Sequence, residues 1–137
     1  MHDVIINLKV LTEFYAHAHN NVQGVSFFSD HGALGCFYDE TFKSLDHVAE
    51  RIIGTLGSES LDLVEVAKAS LQVLSKLKRS EADADTLFKV SLLLEERLVE
   101  SVEMFKDSVS EGTLQLIGEI ANKSESRQYK IKRRLSI

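Results

Sequence analysis

Not one of the 137 residues is proline, and the seven glycines gather near residues 24, 32–35, 54–57 and 112–118. Proline and glycine are the strongest interrupters of helices. A chain that lacks the first and confines the second to four places is held to long helices joined by short connections. The apolar pattern agrees. Val4, Leu8, Leu11, Tyr15, Ala18 and Val22 recur at three- and four-residue spacing, one stripe of a helix that is expected to end near residues 20–24. A second stripe runs through Leu34, Phe37, Tyr38, Phe42, Leu45, Val48, Ala49, Ile52, Ile53 and Leu56. Ser29 is its expected N-cap and Gly57 its C-cap.

Residues 58–77 keep helical spacing at Leu61, Val64, Ala67, Leu71 and Leu74, interrupted by Ser and Lys, which predicts a short crossover helix followed by a loop. Ser80-Glu81-Ala82-Asp83 reads as an N-cap with an acid three residues on. It opens a helix through Leu87, Val90, Leu94, Leu98, Val102 and Phe105, and a last helix turns Leu114, Ile117, Ala121, Ser124, Gln128, Ile131 and Leu135 inward. The expectation is an all-α chain: one domain over residues 1–137, a ferritin-like four-helix bundle with a short crossover helix between the second and third long helices. An apolar content of 44% supports one core and no second.

No window approaches about 18 uninterrupted apolar residues, and no basic region followed by an apolar stretch opens the chain. A cytoplasmic protein with no membrane partner is expected. The single cysteine, Cys36, excludes an internal disulfide framework and is expected as a small core residue. The net charge of −5 argues against strong nonspecific affinity for DNA. That average hides a basic C-terminal end, residues 123–137, where six cations against Glu125 give +5 and leave −10 for the rest. Lys130, Lys132, Arg133 and Arg134 are therefore candidates for a DNA or acidic-surface contact. The same cations also suit the C-terminal end of a helix dipole. No nucleophile triad, phosphate-binding glycine loop or dinucleotide fingerprint is present.

The residues that can carry chemistry are His19, His31, Asp46 and Glu50, since imidazole and carboxylate are ligands that iron, manganese and zinc accept. On a helix, His31, Asp46 and Glu50 fall within an arc of about 100°, and Asp39 lies inside it. Yet His31 and Asp46 stand about 22 Å apart along the axis, at about 1.5 Å per residue. One ion needs its ligands within about 2.0 to 2.6 Å of itself. A single chain cannot bring them together. The conflict disappears if the second helix packs antiparallel on its own copy across a two-fold axis near residues 39 and 40, where contacts are reciprocal. His31 of one subunit then faces Asp46 and Glu50 of the other, and His19 completes each of two equivalent sites. The alternative is a set of ordinary polar residues on a solvated or partner-facing surface, with His17 and His47 scattered among them.

The strings His19-Asn20-Asn21-Val22-Gln23-Gly24, Phe27-Phe28-Ser29-Asp30-His31, Tyr38, Asp46-His47-Val48-Ala49-Glu50-Arg51 and Leu56-Gly57 resemble the DNA-protection-during-starvation family, the Dps mini-ferritins. The interval of twelve from His19 to His31 and of four from Asp46 to Glu50 match that family's pattern. The similarity covers roughly residues 14–57, with weaker agreement at Glu65, Ser70 and Leu71. The resemblance implies a homo-oligomer, two-fold dimers assembled into a hollow twelve-subunit shell. It further implies iron ferroxidase sites at the two-fold interfaces, where Fe(II) is oxidised, preferentially by hydrogen peroxide, and stored as ferric mineral, with protection against oxidative damage. His19 and His31 would be ligands from one subunit, Asp46 and Glu50 from its mate.

Three positions depart from the family. The carboxylate expected four residues after His31 is Gly35, with Asp39 one turn further on and Asp30 beside His31 as the nearest substitutes. The family's tryptophan is Asn20, so any role in absorbing stray oxidising equivalents falls to Tyr38 or Tyr15 or is missing. With the first helix expected to open almost at residue 1, no Lys-rich N-terminal extension of the kind with which some members bind DNA is expected, which leaves the basic C-terminal end. Two functions compete: a peroxide-consuming ferroxidase and iron store, or a Dps-like shell with a degenerate metal site that acts as a structural or DNA-binding protein. A third possibility is a site retuned to zinc or manganese.

Overall fold

A computed structural model of the chain describes residues 1–77 and 83–137. They form five α-helices: α1 (His2–Asn21), α2 (Phe27–Leu56), α3 (Leu63–Leu74), α4 (Ala84–Phe105) and α5 (Glu111–Leu135), with a single 3-10 turn at Ser58–Ser60. α1 packs along α2, α4 and α3; α4 packs on α5, and α5 closes the square against α2. Side-chain bonds set the directions. Arg134 at the end of α5 reaches Asp30 at the start of α2 and Asp85 at the start of α4, while Arg51 late in α2 reaches Thr113 at the start of α5. The long helices therefore run up, down, down, up, and α3 carries the crossover that returns the chain to the start of α4. This is the ferritin-like bundle with one long connection that the apolar pattern predicts.

Helix ends follow the local chemistry. Asp62, Asp83 and Ser110 accept hydrogen bonds from the main-chain N–H of Val64, Thr86 and Thr113, filling donors that a helix start leaves empty. Gly57 closes α2 at φ 94°, a left-handed conformation that favours glycine. Two expected caps move. α2 begins at Phe27, and Ser29 lies inside its first turn, donating to the Ser26 carbonyl. The cap of α4 is Asp83, while Ser80 falls outside the described residues.

The α1 stripe from Val4 to Val22 is buried as expected. In α2 the inward face is Leu34, Phe37, Thr41, Ser44, Val48 and Ile52. Cys36 is exposed, because it lies about 120° around the helix from that face. Phe42, Ile53 and Leu56 are exposed as well, so the long apolar stripe of α2 is two faces, only one of which meets this chain's own core. Val64 and Leu71 of α3 likewise point outward, while Leu61, Val66 and Leu74 are buried. In α5 the inward register is Thr113, Ile117, Ile120, Ser124, Arg127 and Ile131, which takes in a buried arginine that no apolar pattern would select.

Candidate metal centre

His19 lies in the last turn of α1 and His31 near the start of α2, joined by a tight connection in which Gly24 takes φ 112°. Folding α2 back on α1 sets the two rings face to face, with centroids 3.8 Å apart and planes 18° from parallel. Phe27 stacks on the other side of His31, at 4.9 Å and 21°. The pair is interlocked through its main chain. His19 Nδ1 lies 2.7 Å from the His31 carbonyl oxygen, and His31 Nδ1 lies 2.7 Å from the His19 carbonyl oxygen. A carbonyl can only accept, so each Nδ1 carries the hydrogen, and in the neutral ring each Nε2 is left with its lone pair. This is the state in which imidazole binds a metal, and it is the tautomer that an Nδ1–H to carbonyl bond commonly fixes in metal-ligating histidines.

Asp46 and Glu50 lie on the exposed side of α2, four to five turns from His31, and Asp39 stands about 12 Å from His31 along the axis at 1.5 Å per residue. Among the described residues no hydrogen bond or ion pair engages the side chains of Asp39, Asp46 or Glu50, and no group of three or more His, Cys, Asp or Glu residues within the chain is placed to hold one metal ion. That agrees with the reach limit set by the continuous α2 helix. The arc that carries His31, Asp46 and Glu50 also carries Phe28, Phe42 and Ile53, which are 89%, 52% and 41% exposed. Candidate ligands interleaved with bare apolar side chains describe a surface that water covers poorly. His47 projects outside this arc, and half-buried His17 lies beside Leu71 and Leu74 of α3, its Nδ1 3.5 Å from the Asn21 side-chain nitrogen.

Two neighbouring residues have other work. Asp30, 3% exposed, is held bidentately by Arg134, from Nε to Oδ1 at 2.9 Å and from Nη2 to Oδ2 at 3.0 Å. It is no substitute for the carboxylate missing at Gly35. The remaining guanidinium nitrogen of Arg134 bonds Asp85 at 2.9 Å, and the group lies 5.2 Å over the Phe88 ring. These bonds to Asp30 and Asp85 raise the Arg134 pKa above its usual value. Arg134 therefore ties three helices together, whereas Lys130, Lys132 and Arg133 remain exposed.

Sequence reasoning missed the polar centre of the bundle. Glu95 of α4 accepts from Tyr15 Oη at 2.5 Å, from Ser124 Oγ at 2.6 Å and from Arg127 Nε and Nη2 at 2.6 and 3.0 Å. Glu95, Tyr15 and Ser124 are fully buried and Arg127 is 1% exposed. Burial, and next the charge of Glu95, push the Tyr15 phenol well above its ordinary value. Burial works against the Arg127 cation, but its bonds to Glu95 outweigh it and hold the net value above the usual one. The signal was present in the chain: Glu95 follows Leu94 and precedes Leu98 by three, and Arg127 lies between Ser124 and Ile131, all on inward registers. Ferritin-like bundles that hold metal inside use Glu and Glu-x-x-His from facing helices. Here a guanidinium fills that layer and saturates its carboxylate, so among the described residues both buried carboxylates, Glu95 and Asp30, are held by arginine. The outer α2 face and the histidine pair are what remain, and imidazole nitrogen with carboxylate oxygen fits iron, zinc and manganese.

No family model matches the chain, and no curated protein matches it. Among solved structures it is similar to the crystal structure of Dps92 from Deinococcus radiodurans, with a TM-score of 0.80 at 20% sequence identity, covering 96% of this chain and 80% of that one. The chain therefore has the fold of a Dps protein. No helix among the described residues is long and apolar enough to cross a membrane.

Proposed function

We propose that this chain of Dps-like fold is an iron-binding ferroxidase and iron store, working at sites shared across the two-fold axis of a homodimer within a larger shell. The observation that carries the reading is the interlocked His19–His31 pair, whose Nδ1–H bonds leave the Nε2 lone pair of each neutral ring unengaged beside the α2 face that also holds Asp46 and Glu50. Placing α2 of a second copy antiparallel on this face brings the partner's carboxylates to the histidines and covers Phe28, Phe42 and Ile53 in the same step. The twelve-subunit closure of that shell is part of the proposal.

Iron is the substrate. The imidazoles bind Fe(II) through neutral nitrogen, and the two carboxylates add negative charge close to the ion. Coulombic attraction to those carboxylates grows with the charge on the metal, so the site favours the ferric product over the ferrous reactant. Two ferrous ions give one electron each to hydrogen peroxide, which leaves as two hydroxide ions. The test is anaerobic addition of Fe(II) followed by peroxide. Ferric absorbance should rise faster than in buffer, and His31→Ala and Glu50→Ala should each slow it at least about tenfold. A rate equal to the buffer blank in the unaltered protein would refute the reading.

A second reading is favoured by the exposed cations Lys130, Lys132 and Arg133 in the last turns of α5. It is a Dps-like shell that serves as a scaffold or DNA binder. A salt-sensitive DNA shift that disappears when these three residues become alanine would support it; binding indifferent to salt and to these changes would count against it.

A further inference from the structure

Among the described residues, three arginines are wholly or partly withdrawn from solvent into the seams of the bundle: Arg51, Arg127 and Arg134. Two of them are neutralised. Arg127 is held by Glu95, and Arg134 by Asp30 and Asp85, each through charge-assisted hydrogen bonds from more than one guanidinium nitrogen. Arg51 is different. Its guanidinium gives a hydrogen bond from Nη1 to the neutral Thr113 hydroxyl at 3.2 Å, and no ion pair among the described residues engages it. A guanidinium stays charged at every working pH, so it cannot shed its charge to escape burial. A half-buried cation with most of its donors unused within the chain calls for an anion.

The room for one is present. Arg51 and Thr113 line a cavity of about 350 Å³ between the end of α2 and the start of α5, where Ile52, Leu56, Phe105 and Val109 supply an apolar floor. That volume lies within the range of small-molecule sites, roughly 300–1,000 Å³. No Asp or Glu lines it. Arg51 Nη1 lies against the first turn of α5, where a Cβ at Gly112 would already touch it at 3.4 Å. The cavity stands apart from the two-fold face, since five residues turn Arg51 about 140° from Asp46 around α2.

We propose that this cavity binds a small monocarboxylate with an apolar body, its two oxygens forked by Arg51 and its hydrocarbon laid on Ile52, Phe105 and Val109. Each half of the site excludes a different competitor. A neutral apolar molecule leaves the guanidinium unpaired, whereas inorganic phosphate satisfies the charge and leaves the floor uncovered. An Asp or Glu side chain from a neighbouring subunit carries too short an apolar stem to fill the floor. The inference does not depend on the metal site.

Octanoate is titrated into the intact protein by isothermal calorimetry, with octanol and inorganic phosphate as the arms that lack the charge or the hydrocarbon. Octanoate should bind saturably at one per subunit, and the other two at least about tenfold more weakly. Arg51→Gln should weaken octanoate at least about tenfold and leave octanol unchanged, while Arg51→Lys, which keeps the charge without the fork, should fall between. Val109→Trp fills the floor, leaves Arg51 in place and should abolish octanoate binding. Circular dichroism monitors folding. Should the variants fail to fold, the order of the three probes in the unaltered protein decides. No saturable octanoate binding, equal binding by Arg51→Gln, or phosphate as tight as octanoate would overturn the inference. A neighbouring subunit's carboxylate seated on Arg51 would show as absent octanoate binding together with loss of assembly in Arg51→Gln, and would overturn it too.

Discussion

His19 and His31 each donate an Nδ1 hydrogen to the other's main-chain carbonyl, both at 2.7 Å. The two residues are twelve apart in sequence and belong to different helices, so this reciprocal lock also fixes how α2 leaves α1. Each ring is oriented by the backbone of its partner. Loss of either ring releases one of the two carbonyl bonds and the stacking face that orient the other.

Sharing across a two-fold axis has a signature that a site within one chain lacks. A dimer of one His31→Ala chain and one Glu50→Ala chain carries one site with both defects and one site with none. Heterodimers isolated with two different tags should recover about half of the metal binding and iron oxidation that each single variant has lost. No recovery would place all ligands within one subunit.

Assembly and metal binding should fail together. Phe42→Lys and Ile53→Lys each put a charge on the exposed α2 face that the partner would cover, where it has no counter-charge. Sedimentation should show the dimer lost at micromolar concentration, and Zn(II) affinity should fall at least about tenfold although no ligand has changed. Unchanged affinity in a monomer would contradict the shared site.

At the centre of the bundle, Arg127→Met leaves Glu95 as a buried charge without its cation. Urea unfolding should show a loss of about 3–5 kcal/mol. Replacing both residues with apolar ones, Glu95→Leu with Arg127→Met, should restore most of it, since no charge is then left buried.

Tyr15 predicts the behaviour in alkali. Its phenol is held well above the ordinary value of 10.0 by burial and by Glu95, whereas in the unfolded chain it titrates normally. Above pH 10 the unfolded state therefore binds fewer protons than the folded state. Stability falls as pH rises through the window between the two values, by up to about 1.4 kcal/mol per pH unit from this group. Below that window the contribution is complete. Tyr15→Phe should remove this part of the slope, measured as the difference between the two proteins in urea midpoints across alkaline pH.

Arg134 and its basic neighbours should separate by phenotype. Arg134→Ala strands the buried Asp30 and should cost about 1–3 kcal/mol, the pair being only partly shielded from solvent. Lys130, Lys132 and Arg133 should change stability by less than about 0.5 kcal/mol each when replaced by alanine. Thermal melts compare them directly.

Much of the architecture was legible along the chain because helical burial leaves a local trace. The absence of proline, the grouped glycines and the repeat from Val4 to Val22 gave α1, and the unbroken run from Leu34 to Leu56 gave α2 with its glycine stop. The spacing of His31, Asp46 and Glu50 set a limit on reach that holds in the continuous α2 helix. What spacing could not reveal was which face of α2 is inner. Phe42, Ile53 and Leu56 are as apolar as Leu34 and Phe37, and only packing against α1 and α5 distinguishes them.

Sequence by itself determined the helices, their order and the residues able to ligate a metal, since each follows from local propensity, periodicity or side-chain chemistry. Tertiary structure alone decided the rest, because it depends on atoms distant in the chain. It set Glu95 against Arg127, withdrew Arg134 from the basic C-terminal end to Asp30, and laid the His19 ring on Gly35. Read along the chain, that glycine is a missing carboxylate. In three dimensions it is the floor on which the His19 ring rests.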